Sequence, residues 1–198
     1  MTVKKLYLSL TILFILCVGA GVFYFTVYRQ AKMELPKDVV METAWGEEYR
    51  FSDGKPKIRL LEFMYTNCPD VCPNTTFQMT KLREKLEHEH VFGKNVEFIT
   101  ITIDPKRDTR EKLQTYAKTF GVTNSKQGWL FLRGSEADTK KIADAFDFQY
   151  RDPGNGMLIH TTLTYLLDEN GRVIEQFGMG KQRFHVQEVY AAIMDELK

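Results

Sequence analysis

Phe63-Met64-Tyr65-Thr66-Asn67-Cys68-Pro69-Asp70-Val71-Cys72-Pro73 is the stretch whose reading decides the fold. Before it, Ile58 to Met64 is an apolar run suited to a buried strand. After it, Asn74 to His90 places Phe77, Leu82 and Leu86 among charged residues, the pattern of an amphipathic helix resting on a sheet. Two thiols and two prolines therefore stand where a strand hands over to a helix. Pro73 fits the first helical turn, where its missing N–H costs nothing, so Cys72 is expected at the helix N-terminus, where backbone dipoles favour a thiolate. A spacing of four on a helical turn brings the two Cα atoms to roughly 6 Å, inside the window of about 4.4 to 6.8 Å that a disulfide requires. The pair can be a Cys68–Cys72 disulfide, a redox dithiol or two metal ligands. A bridge closing so short a loop constrains little of the unfolded chain, which weakens the purely structural reading.

Working outward, helical and strand patterns alternate. Trp45 to Phe51 and Ile58 to Met64 read as a strand pair joined through Ser52-Asp53-Gly54-Lys55-Pro56, whose Asp-Gly and Pro are turn formers. Val96 to Ile103 is a β-branched and aromatic run, Thr109 to Phe120 returns to helical spacing, and Gly121 stops it. A strand at Gly128 to Leu132, a helix at Ser135 to Phe146 and a strand at Leu158 to Leu167 follow. The Asp168-Glu169-Asn170-Gly171 turn, a strand at Arg172 to Phe177 and a last helix from Val186 close the chain. That order predicts an α/β thioredoxin-like sandwich with inserted helices.

Upstream, Leu6 to Tyr28 is 23 residues without a charge, flanked by Lys4, Lys5 and Arg29. As a helix it reaches roughly 34 Å, enough for a bilayer core of about 30 Å. The division expected is 1–28 as membrane anchor or signal segment, 29–44 as tether and 45–198 as the domain, with the domain on the extracytoplasmic side of a single-pass anchor in the cell membrane. Two other fates compete: cleavage after Val18-Gly19-Ala20, and lipidation at Cys17, which is preceded by Leu16 where a small residue is expected. Twenty-seven basic against twenty-six acidic residues leave a net charge of +1 and no electrostatic footprint for nucleic acid. An extracytoplasmic address permits a disulfide.

A third ligand would separate redox chemistry from metal binding. Of four histidines, His88 and His90 read as a solvated helix end and His185 as the opening of the last helix. His160 differs, because it interrupts the strand-like Leu158-Ile159-His160-Thr161-Thr162-Leu163, and in a thioredoxin-like sheet the loop entering this hairpin faces the cysteine loop. A core histidine bonded to a carbonyl is the plainer reading of that residue alone. Together with two thiolates, however, an imidazole suits copper, as Cu(I) or Cu(II). Structural zinc would want a fourth ligand, for which there is no convincing candidate. Met179 is an accessory thioether or simply a turn methionine, and Tyr65, Trp129 and Phe131 read as core or rim aromatics.

Three ordered motifs, Phe63 to Pro73, Thr102-Ile103-Asp104-Pro105-Lys106-Arg107-Asp108-Thr109, and His160, closely resemble the Sco/SenC family of copper chaperones over roughly residues 40 to 198. The resemblance implies a thioredoxin-like fold, copper held by Cys68, Cys72 and His160, and a part in assembling the binuclear copper A centre of cytochrome c oxidase subunit II. A monomer without enzymatic activity is expected. The alternative is a thiol-disulfide oxidoreductase that reduces the cysteines of the oxidase copper site, disfavoured by Cys-x-x-x-Cys spacing and by the lack of a proline just before His160's strand. This chain has Arg110 where the family often has proline, and Ile159 where many members carry an acidic residue. The Asp104 to Thr109 stretch also has a local reading, with Asp108 or Thr109 capping a helix and Arg107 pairing nearby.

Overall fold

The computed structural model describes residues 3–24, 32–53 and 55–198. Two seven-residue strands, β3 (Ile58–Met64) and β4 (Val96–Thr102), are buried at every position. A strand with no exposed face must be covered on both sides, so these two form the sheet's interior. Around them β1 (Val40–Thr43), β2 (Glu48–Arg50), β5 (Trp129–Arg133), β8 (Leu163–Leu167) and β9 (Val173–Gly178) complete one sheet in the order β2-β1-β5-β4-β3-β8-β9. β3, β4 and β5 run parallel, and β8 and β9 add antiparallel on the other side. Parallel neighbours need long crossovers. These are α2 (Val71–His88), between β3 and β4, and α3 (Arg110–Thr119), between β4 and β5. After β5 come α4 (Glu136–Ala145) and a two-strand ribbon of β6 (Tyr150–Arg151) and β7 (Ile159–His160), and the chain ends in α5 (Val186–Glu196), which packs on α2. The architecture is the mixed α/β, thioredoxin-like sandwich expected.

Three local expectations are corrected. The first strand pair is β1 with β2, not 45–51 with 58–64: both edges of β3 are taken by β4 and β8, leaving no hydrogen-bonding side for β2. Gly54, in the turn once expected to join that pair, lies outside the described residues. Part of the stretch read as tether is packed. Met33, Leu35, Val39 and Met41 are buried, β1 pairs with β5, and Glu34 bridges Arg172. The alternation of Val39, Met41 and Thr43 inward is a short strand signal, easily lost in four residues. Finally, Leu158 to Leu167 is two elements. Thr161 N–H turns to the Gln149 carbonyl and the Thr162 carbonyl accepts from Met179 N–H, which breaks the strand and puts His160 on the separate ribbon.

At the N-terminus, α1 spans Val3–Phe23. Among the described residues no helix is long and apolar enough to cross a membrane. Positions 25–28 of the expected span, and 29–31 of the expected tether, lie outside the described residues.

Candidate metal centre

Cys68 follows the turn that ends β3, its N–H bonded to the Tyr65 carbonyl at 3.1 Å. Cys72 is the second residue of α2. Asp70, the N-cap, makes no side-chain cap bond, because its carboxylate accepts from Asn74 Nδ2 at 2.6 Å. A first-turn N–H is instead taken by sulfur: Cys72 N–H points at Cys68 Sγ, 3.4 Å away. The chain thus uses one cysteine to finish the helix that carries the other.

His160 Nε2 stands 3.9 Å from Cys72 Sγ, although 88 positions separate the two residues. The two sulfurs and a ring nitrogen all lie within 4.8 Å of one another. The opposite ring nitrogen, Nδ1, is 2.6 Å from the Thr161 carbonyl. A carbonyl can only accept, so Nδ1 carries the hydrogen and, in the neutral ring, Nε2 keeps its lone pair facing the thiols. Phe148 stacks on the imidazole at 5.8 Å between centroids and Tyr65 meets it edge-on at 5.9 Å, which fixes the ring plane.

The thiols are not equivalent. A hydrogen bond from the Cys72 thiol, with further donation from the backbone N–H groups of Cys72 and Asp70, holds Cys68 down to about 4 against the opposing effect of burial. The same hydrogen bond, with burial and the neighbouring Cys68 charge, drives Cys72 upward. Thiolate character therefore falls on Cys68, not on Cys72 as the helix dipole alone suggested. The pair holds one proton between two sulfurs, and a soft cation would displace it.

Two neighbouring residues of one turn brace both halves of this cradle. Asp108, buried, accepts from Thr66 N–H at 2.9 Å, from Thr66 Oγ1 at 2.5 Å and from Thr102 Oγ1 at 2.5 Å, so it fixes the loop leading to Cys68. Arg107 pairs with Asp104, lies 3.4 Å from Asp152 and donates to the Gly156 carbonyl at 3.2 Å, so it fixes the loop leading to His160. Thr109 alone caps α3, accepting from Lys112 N–H. The local reading of Arg107 and Thr109 is right as far as it goes, and it misses what Asp108 does.

Glu62 lies beneath the site and was not singled out from sequence. It has no exposed surface, and burial pushes its carboxyl up to about 8, against hydrogen bonds from Thr100 and Thr76 that pull it down. Thr76 Oγ1 also reaches the Cys72 carbonyl at 2.9 Å. Its signal was present: it is the acidic residue in the otherwise apolar Leu60-Leu61-Glu62-Phe63-Met64. The remaining candidates are dispersed. His88 is solvated beside Glu89, His185 is the N-cap of α5, and Met179 is buried rather than exposed at its turn.

A thioredoxin-like sheet that gathers two thiols and one imidazole in a cradle of this size forms a candidate soft-metal site, and the donor set would suit copper. Comparison with known proteins agrees with that class. The SCO1/SenC family model matches residues 40–195, and the chain belongs to that family. An SCO2-like protein of Rickettsia typhi is 35% identical over 138 residues, covering 67% of this chain and 64% of the relative, so the match leaves about a third of that relative unspanned. The crystal structure of a SCO1/SenC family lipoprotein from Bacillus anthracis superposes with a TM-score of 0.74 at 27% identity, covering 84% of this chain and 96% of that one. The copper-bound structure of ScoI from Bradyrhizobium japonicum gives a TM-score of 0.66 at 25% identity over 80% of this chain and 96% of that one.

Proposed function

We propose that this chain is a metallochaperone that holds one copper ion through Cys68, Cys72 and His160 and delivers it to the binuclear copper A centre of cytochrome c oxidase subunit II. The carrying observation is the convergence of three donors from two distant segments, with the imidazole tautomer already set for ligation. Three donors leave a coordination position open, and an open position lets an acceptor exchange ligands with the ion. The copper-bound B. japonicum relative supports the choice of metal.

The segment 1–28 anchors the domain, the division of the chain is anchor, link and domain, and the domain faces the extracytoplasmic side. Support comes from α1, whose large apolar side chains from Tyr7 to Phe23 are exposed around the helix instead of packed. A lipid on Cys17 would serve the same end, as the name of the B. anthracis lipoprotein suggests for that relative.

A second reading, a reductase that prepares the oxidase cysteines for copper, is favoured by the inequality of the thiols: one low thiolate beside one retained proton is what thiol exchange uses. Copper titration of the reduced full chain separates the two. Delivery expects one ion per chain, thiolate-to-copper charge-transfer absorption in the Cu(II) form, and loss of both in Cys68→Ala, Cys72→Ala and His160→Ala. Dithiol turnover that survives His160→Ala, with no stoichiometric copper, would overturn delivery in favour of the reductase.

A further inference from the structure

The three donors communicate with solvent through a groove of about 390 Å³, lined among others by Tyr65, Cys68, Val71, Met157, Ile159 and His160. Cys72 is fully buried and Cys68 nearly so, so an ion entering or leaving passes the walls of this groove. Apart from Cys68, the one sulfur on those walls among the described residues belongs to Met157.

Met157 is 47% exposed, an unusual posture for a large apolar side chain that could fold onto the domain. Its backbone is held while its side chain is not. The carbonyl before it is bonded to Arg107 at 3.2 Å, and its own N–H is bonded to Asn155 Oδ1 at 3.1 Å. Around it the loop is open: Gly154 and Gly156 have φ of +87° and +83°, and nothing lies within 4 Å of where a Cβ would stand on either. A flexible thioether is therefore presented at the mouth of the cradle from a fixed point.

Thioether sulfur is a soft, neutral donor that selects Cu(I), and methionine's unbranched chain adapts its reach. Unlike a thiol it has no proton to lose, so it can bind and release the ion without acid–base change. We propose that Met157 closes the open position of the loaded centre as a fourth, exchangeable ligand for Cu(I), the first to yield when an acceptor arrives. In that exchange the copper–thioether bond breaks as an acceptor–copper bond forms. Copper stays Cu(I), and no electron or proton moves. This rests on the reading of Cys68, Cys72 and His160 as a copper centre.

The test uses the full chain with its methionines replaced by selenomethionine, reduced and loaded with Cu(I), and reads X-ray absorption at the selenium edge. A copper neighbour to selenium is expected, and it should vanish in Met157→Leu while that variant still holds one Cu(I) per chain. Competition with a chromophoric Cu(I) chelator should show affinity reduced about 3- to 10-fold in Met157→Leu, and leucine's similar volume at a half-exposed position leaves the fold intact. Full Cu(I) loading with no selenium–copper contact overturns the role of Met157 and leaves the copper centre standing. A contact that persists in Met157→Leu also overturns it, by assigning the donor to another methionine. Failure of the parent chain to load Cu(I) overturns the copper reading itself, and failure of Met157→Leu alone overturns the role of Met157 as an exchangeable ligand by making it an essential one.

Discussion

Glu62 has no route to solvent, and its two hydroxyl neighbours, Thr76 at 3.3 Å and Thr100 at 3.2 Å, only partly replace the water a carboxylate would want. Its carboxyl ordinarily titrates near 4.5 and burial holds it to about 8. The folded state therefore keeps the proton over a range in which the unfolded chain releases it. The stability Glu62 contributes is complete below about pH 4.5 and is lost as pH rises towards 8. Each unit of difference corresponds to about 1.4 kcal/mol, so between pH 5.5 and 8 the loss is on the order of 3 kcal/mol. Glu62→Gln keeps the shape and removes the titration. Urea unfolding of the reduced, metal-free protein should show Glu62→Gln losing less stability than the parent over that interval, by about that amount. Cys68, displaced in the opposite direction, adds a slope of opposite sign in both proteins, and because its charge also helps to raise Glu62 the difference between the profiles reads Glu62 together with that coupling. Parallel pH profiles for the two proteins would mean that Glu62 is ionised in the fold.

The turn from Asp104 to Thr109 does two jobs with adjacent side chains, and they separate on mutation. Asp108→Ala strands three donors, the Thr66 N–H and the hydroxyls of Thr66 and Thr102, where water has little access. That should cost about 2 to 4 kcal/mol in denaturant unfolding and lower Cu(I) affinity about 10- to 100-fold, as loss of a bracing contact typically does. Arg107→Ala removes a partly exposed ion pair and should cost no more than about 1 kcal/mol. Its effect should appear as faster hydrogen exchange over residues 152–160, the loop it ties down. Equal stability losses for both variants would contradict this division of labour. The same turn shows what a sequence can disclose. Cys68 and Cys72 were legible because their chemistry depends on a spacing of four, and His160 because a histidine in an apolar run demands a reason. Asp108 was read as a cap because Thr66, its partner 42 positions away, leaves no local mark. Leu158 to Leu167 passed for one strand because strand-favouring β-branched and apolar residues, Ile159, Thr161, Thr162 and Leu163, continue across a break made by two backbone bonds to distant carbonyl and N–H groups. Chemistry that acts locally is written locally, and bracing is not.

Where the domain begins follows the same logic over the whole molecule. Residues 29–44 are polar enough to read as a link, yet Met33 and Leu35 are buried against the far edge of the sheet. The Met33 carbonyl accepts from Val173 N–H at 2.9 Å, and Leu35 N–H donates to the Gly171 carbonyl at 2.9 Å. Leu35 also fits closely over Gly171, where an added Cβ would stand 3.2 Å from the leucine's own. This strap covers the β8–β9 hairpin, whose partner β3 leads directly to the cysteine loop. A chain beginning at Lys32 should therefore unfold with the same denaturant midpoint as the full domain. One beginning at Val39 should lose about 3 to 6 kcal/mol, because burial of a large apolar side chain contributes about 1.5 to 3 kcal/mol and two are removed, with the upper figure a bound. Because β3 ends at the site, the shorter chain should also bind copper more weakly, whereas the longer one should bind it unchanged. Indistinguishable midpoints for the two chains would return residues 33–38 to the link and detach the strap from the stability of the centre.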